Sequence, residues 1–193
     1  MPNTSATGGY LTQTESSIDG LPFRRFIGTM LVGVSGLAAT MVRPSWQRNP
    51  PPVPDIEVSW MAYGITAQRA DDAPYMEEDA SGSSAELVRH EEVDILVTGY
   101  GADCLSVLGS TRDALYLSQN RELMYGVGMG LVGCGDITHA PELVNEQYID
   151  RCDMTVTIRR EVRREYAVLN FVGVSGEILA NRDITTLTKD WSA

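Results

Sequence analysis

The stretch Glu86–Tyr100, ELVRHEEVDILVTGY, carries the fold in its second half. VDILVTGY is dense in β-branched residues and closes on an aromatic one, which is the composition of a strand. Immediately after Gly101 the period changes. Cys104, Leu105, Leu108, Ala114, Leu115, Leu117 and Leu123 recur at helical spacing, which predicts one long helix through ADCLSVLGSTRDALYLSQNRELMYGVG.

Toward the N-terminus, RADDAPYMEEDASGSSAE (Arg69–Glu86) is acidic and turn-rich, an exposed loop with a short strand at Tyr75–Glu77. Before it, Val58, Trp60, Ala62 and Gly64 alternate with Ser59, Met61 and Tyr63, predicting a strand over Glu57–Gln68. Earlier still, Phe23, Ile27, Met30, Leu31, Val34, Leu37, Ala38 and Met41 mark one apolar face of a helix over Leu21–Met41. Asp19 or Gly20 is its N-cap, and Pro22 is tolerated in its first turn. Toward the C-terminus, GLVGCGDIT and IDRCDMTVTIRREVRREYAVLNFVGV read as two strands, the second one long.

The order helix, strand hairpin, helix, strand hairpin predicts an α+β fold: a mostly antiparallel sheet flanked by two long helices. Residues 1–18, rich in Thr, Ser and Gly, predict a flexible N-terminal arm, residues 19–174 a single domain, and residues 175–193 a C-terminal arm. Within that last arm, DITTLTKDW alternates like a strand available for donation to a neighbour.

A chain of 193 residues with 43% hydrophobic side chains builds a real core. Its formal net charge of −11 leaves no basic footprint for nucleic acid and repels anionic membrane. The three cysteines, Cys104, Cys134 and Cys152, form no CxxC pair, so they read as reduced core thiols. The apolar run Phe26–Val42 has the length of a short membrane span, but its glycines and threonines gather on one side, as in a buried amphipathic helix.

Motifs for catalysis are weak. GMGLVG (Gly128–Gly133) matches a dinucleotide fingerprint, yet a helix precedes it and a strand follows, the reverse of what phosphate binding needs. Glu92 and Asp94 share one strand face while Glu91 takes the other, which suits solvated or interface charge better than an acid–base pair. Neither His90 nor His139 belongs to a metal or triad pattern. No catalytic residue, cofactor or metal is expected.

Two features suit protein–protein contact instead. RPSWQRNPPPVPDIEVSW (Arg43–Trp60) holds two tryptophans and five prolines, a stiff strap that ends the first helix. Arg43, Trp46, Gln47 and Trp60 are its interface candidates, against the alternative that the indoles cover the core edge of their own subunit. RREVRRE (Arg159–Glu165) puts Arg160 and Arg164 on one strand face and Arg159 and Arg163 on the other. The alternatives are a solvated sheet face, or arginines meeting the Asp71, Asp72, Glu77 and Glu78 region of an adjacent copy.

Together, the FRRFIGTMLVGVSGLAATMV helix, the VRPSWQRNPPPVPDIEVSWMAYGIT strap, HEEVDILVTGYG, LYLSQNRELM and APELVNEQYIDRCDMTVTIRREVRREY resemble the bacteriophage neck or tail terminator family. The likeness runs from about Leu21 to Asn170. It implies a structural virion protein without an active site: α+β subunits closing into a ring, usually hexameric, that caps the tail tube and stops its growth. The implied partners are copies of itself, the tail tube protein, the head–tail connector, and the sheath protein where the tail contracts. DNA would pass through the lumen without specific binding. A small enzyme using Gly128–Gly133, or an exported protein anchored by Phe26–Val42, are the competing readings.

Overall fold

The computed structural model describes residues 8–16, 18–78, 84–144 and 146–168. The elements follow one another as β1 (Glu15–Ser16), α1 (Gly20–Ser35), a 3-10 turn (Ala39–Met41), β2 (Val42–Pro44), β3 (Trp60–Ala70), β4 (Tyr75–Glu78) and β5 (Ala85–Tyr100). Then come α2 (Cys104–Leu115), α3 (Ser118–Tyr125), β6 (Met129–Cys134), β7 (Thr138–His139), β8 (Glu142–Val144), β9 (Gln147–Ile149) and β10 (Arg151–Tyr166). The fold is α+β, with a mixed, mostly antiparallel sheet and, among the described residues, three α-helices.

The chain forms two compact units. The larger comprises residues 17–74 and 89–162. Its sheet runs β10, β5, β3, β2, with β6 and β7 also pairing with β10. β3 and β5 are antiparallel from Trp60↔Tyr100 to Ala70↔Glu91, and β2 joins the edge of β3 in parallel. The cross-strand pairs Thr98–Asp153, Asp94–Thr157 and Glu91–Arg160 show that β10 runs antiparallel to β5. The smaller unit holds β1 on Glu165 and Arg164, and β4 on Ala85–Val88. The residue range 175–193, with its proposed strand donation, lies outside the described residues.

In the larger unit the two sheet faces differ. The odd residues Val93, Ile95 and Val97 of β5 and the even residues Met154, Val156 and Ile158 of β10 are buried against Phe23, Ile27, Met30, Leu31, Leu108, Leu115 and Met124 of the helices. α1 sits close to β3 because Gly28 has no side chain: a Cβ there would collide with the Tyr63 hydroxyl, which donates to the Arg24 carbonyl at 3.2 Å. Among the described residues the other sheet face carries no helix. Thr66 is an extra residue in β3 and inverts the alternation, so Trp60, Ala62 and Gly64 share this open face with Arg69 beyond the bulge.

Several expectations need correction. The first helix stops at Ser35, six residues before Met41, where Gly36 adopts φ 70° and closes it as a left-handed C-cap. Asp19 is the N-cap, its side chain accepting from the Gly20 amide. The second helix is two, α2 and α3, broken at Tyr116 and Leu117; the Tyr116 hydroxyl accepts the Cys134 amide and the Asn120 side chain donates to the Ala114 carbonyl. Cys104 and Cys152 are not reduced thiols but a disulfide, which fastens the start of α2 to the start of β10. Cys134 alone is free, and burial raises its thiol pKa.

Candidate functional site

The strap lies on the open face. Ser45 extends the parallel pairing of β2 by donating its amide to the Tyr63 carbonyl at 2.7 Å, after which the chain leaves the sheet edge. Arg43 fastens the departing segment from both ends, with Nε to the Thr40 carbonyl at 2.9 Å and Nη1 to the Pro52 carbonyl at 2.7 Å. Gln47 closes the next turn on the Pro44 carbonyl at 2.7 Å. Prolines have no amide N–H of their own, and here side chains supply the donors that hold their carbonyls.

Between strap and sheet is a groove of about 370 Å³. Its floor is Trp60 stacked on Tyr100, with ring centroids 4.2 Å apart and planes 9° from parallel. The Arg43 guanidinium lies 5.5 Å from the Trp60 ring centre, a cation–π contact. At one wall Arg151 pairs with Asp153 at 3.0 Å and with Glu142 at 3.3 Å. The Asp153 hydrogen bond is the largest cause that holds the Arg151 pKa above its ordinary value. Burial pushes the Tyr100 phenol upward, so it remains a neutral donor.

Trp46 stands over Gly64, where a Cβ would strike the indole. Yet the side chain is 73% exposed, and its backbone sits at φ 54°, a left-handed conformation that costs a non-glycine residue about 1–3 kcal/mol. An indole held out by strained backbone and backed by a strap of prolines is an aromatic surface ordered in advance and open to solvent. It offers an aromatic face but no nucleophile, base or metal ligand.

Of the residues singled out in the sequence, Arg43, Trp46, Gln47 and Trp60 come together here. Tyr100, Thr98 and Arg151 were missed; the signal for Tyr100 was its position at the end of a strand antiparallel to the one that begins with Trp60. The charged candidates pair within the subunit. Arg159 lies 3.7 Å from Asp71, near exposed Asp72. In the smaller unit Arg163 bonds both Glu77 at 2.9 Å and Glu86 at 2.8 Å; Glu78 is exposed, and Arg164 pairs through its backbone with Ser16. Arg160 is corrected from surface to core. It is 1% exposed, bonded to Glu91 and Asp19, with its guanidinium 4.1 Å from the Phe23 ring centre. The even positions of β10 face the helices, and Arg160 follows that parity.

The competing readings find no matching geometry. Gly128, at φ 69°, turns the chain out of α3, and Gly130 and Gly133 lie within β6 opposite Arg159 and Thr157, so no helix N-terminus faces the glycines. Glu91 is buried with Arg160 while Glu92 and Asp94 meet Arg69 on the opposite face. Among the described residues no group of three or more His, Cys, Asp or Glu is placed to hold a metal ion, and no helix is long and apolar enough to cross a membrane.

A search of curated proteins finds no match. Residues 22–182 match the family model described as phage neck terminator protein, a span containing α2, α3, nearly all of α1, the strap and its groove. This chain therefore belongs to the phage neck terminator family, and is a structural, non-enzymatic virion protein that terminates the tail at the neck.

Proposed function

We propose that copies of this subunit close into a ring, with six members, that caps the tail tube, ends its polymerisation and joins the tail to the head connector. The observation that carries this reading is Trp46, 73% exposed on a strap already fixed by Arg43 and Gln47. A contact element ordered in advance loses little entropy when a partner arrives. Residues 19–174 form the assembling body, with 1–18 and 175–193 as arms.

The salt bridges formed inside each subunit shape how copies meet. Arg159, Arg163 and Arg69 already face carboxylates of their own chain, so charge attraction contributes less to the ring than the aromatic strap does. Arg159, Arg163, Arg164, Asp71, Asp72, Glu77 and Glu78 border the contact and set its register by exchange of these pairs. Six copies at −11 sum to about −66, and a bore sharing that charge lets DNA pass without sticking. The tube protein, the connector and, in a contractile tail, the sheath protein are the partners.

The test is Trp46→Ala. Because the side chain is exposed, stability should change by less than about 0.5–1 kcal/mol. Light scattering and electron micrographs of tail ends should show monomers and uncapped or overlong tubes. An unfolded variant would make the strap a core cover, and normal rings would remove Trp46 from the interface.

A further inference from the structure

The β8–β9 hairpin is a separate two-stranded sheet, only three residues per strand. Leu143 and Tyr148 are directly opposed across it and are 59% and 76% exposed. An isolated hairpin of this length is marginal in water, and an apolar cross-strand pair stabilises it fully only when covered. The larger unit also carries a concave apolar site. Phe26, Met30, Val34 and Leu123, with Thr29 and Gly33, line a groove of about 400 Å³ between α1 and α3, to which α3 also contributes Gln119, Asn120 and Glu122.

These two features lie on opposite sides of one sheet. The hairpin is tied to the open face, because Glu142 bonds Arg151, which bonds Asp153, which accepts from Thr98. The groove belongs to the helices that cover the other face. A hairpin cannot reach through its own sheet, so the cover for Leu143 and Tyr148 is not the α1/α3 groove of the same subunit.

Charge is complementary at one end of the pair. Glu146 is exposed beside the hairpin's turn, while Glu142, exposed on its strand, is already bonded to Arg151. Arg24 and Arg25 are exposed on α1, and Arg25 stands one helical turn before Thr29 on the groove's own stripe. We infer that the hairpin of one subunit seats Leu143 and Tyr148 in the α1/α3 groove of a second copy of this chain, with its acidic turn against Arg24 and Arg25. A protruding patch on one side and a receiving patch on the other make a head-to-tail contact, the kind that repeats around a closed ring. The inference rests on the ring reading and names its interface.

The experiment places the photoreactive residue p-benzoyl-phenylalanine at position 148 of the full chain, irradiates the assembled protein on purified tails, and maps the adducts by mass spectrometry. Chain-to-chain adducts within residues 26–34 or 119–123 are expected. A companion variant, Tyr148→Glu, should lower the assembled fraction roughly tenfold or more while the unfolding midpoint of the monomer stays in place. Adducts elsewhere, or Tyr148→Glu assembling like the wild type, overturn the hairpin contact; rings still visible in micrographs then leave the ring reading standing. Wild-type protein that never associates with itself on tails overturns both.

Discussion

Arg160 and Glu91 form a buried ion pair beneath α1: Nε and Nη2 of the arginine both donate to the same carboxylate oxygen, at 3.0 and 2.7 Å. The remaining donors reach the Ile18 carbonyl at 3.0 Å and Asp19 at 3.1 Å, while Gln68 donates to that same Glu91 oxygen at 2.7 Å. The pair therefore links two strands to the N-cap of a helix. Burying both charges is costly, and the network is satisfied only when every member is present.

Arg160→Ala should destabilise the protein by about 3–5 kcal/mol, because Glu91 is left buried without its cation. Replacing both, Arg160→Met with Glu91→Leu, should recover most of that loss in urea titrations. A single variant as stable as wild type would show that the pair is hydrated in solution.

Gly28→Ala should cost about 1–3 kcal/mol, since the added methyl and the Tyr63 hydroxyl claim the same space. Combining it with Tyr63→Phe removes the obstructing oxygen and should recover part of the loss, although Tyr63→Phe alone forfeits the bond to Arg24. The cycle is read by denaturant midpoints, and additivity of the two changes would place α1 farther from β3.

Asp94 predicts an acid limb to the stability curve. The Arg69 hydrogen bond, and after it Thr157, hold its carboxyl below the ordinary range. A depressed folded-state value contributes stability that is complete above the unfolded value of about 3.9 and is lost as pH falls through the folded one. The stability gap between wild type and Asp94→Asn should be full near neutrality and close below about pH 4 in urea titrations at several pH values. A gap constant with pH would assign the effect to shape.

With Cys104 and Cys152 bonded, protein denatured without reductant should expose one reactive thiol, from Cys134, and three after reduction. Thiol titration reads this directly. Three reactive thiols without reductant would return these cysteines to the reduced state expected from their spacing.

Much of this was written in local pattern. The strand predicted over Glu86–Tyr100 is β5 with one residue added, because dense β-branched sequence bounded by Gly101 leaves little choice. Trp46, Trp60, Arg43 and Gln47 line one groove because one proline-rich run contains them all. What escaped reading was set by partners distant in sequence. Nothing local ends a helix at Tyr116; the break follows where its hydroxyl meets Cys134 in β6. The burial of Arg160 was available from its parity with Met154, Val156, Ile158 and Val162, but arginine's usual surface preference obscured it. The parallel pairing of β2 with β3 had no signal, since three residues are too few to show a period.

That parallel pairing sets what a visitor to the neck encounters. Two parallel strands need a long return connection, which in most proteins is a helix some 10–12 Å across with its side chains. Here residues 45–59 make the return without helix or strand, so in the larger unit the described residues put helices on one sheet face and only this strap on the other. On that face a single thread of polypeptide stands between solvent and the strands β3 and β5, with no helical layer among the described residues to soften a load placed there.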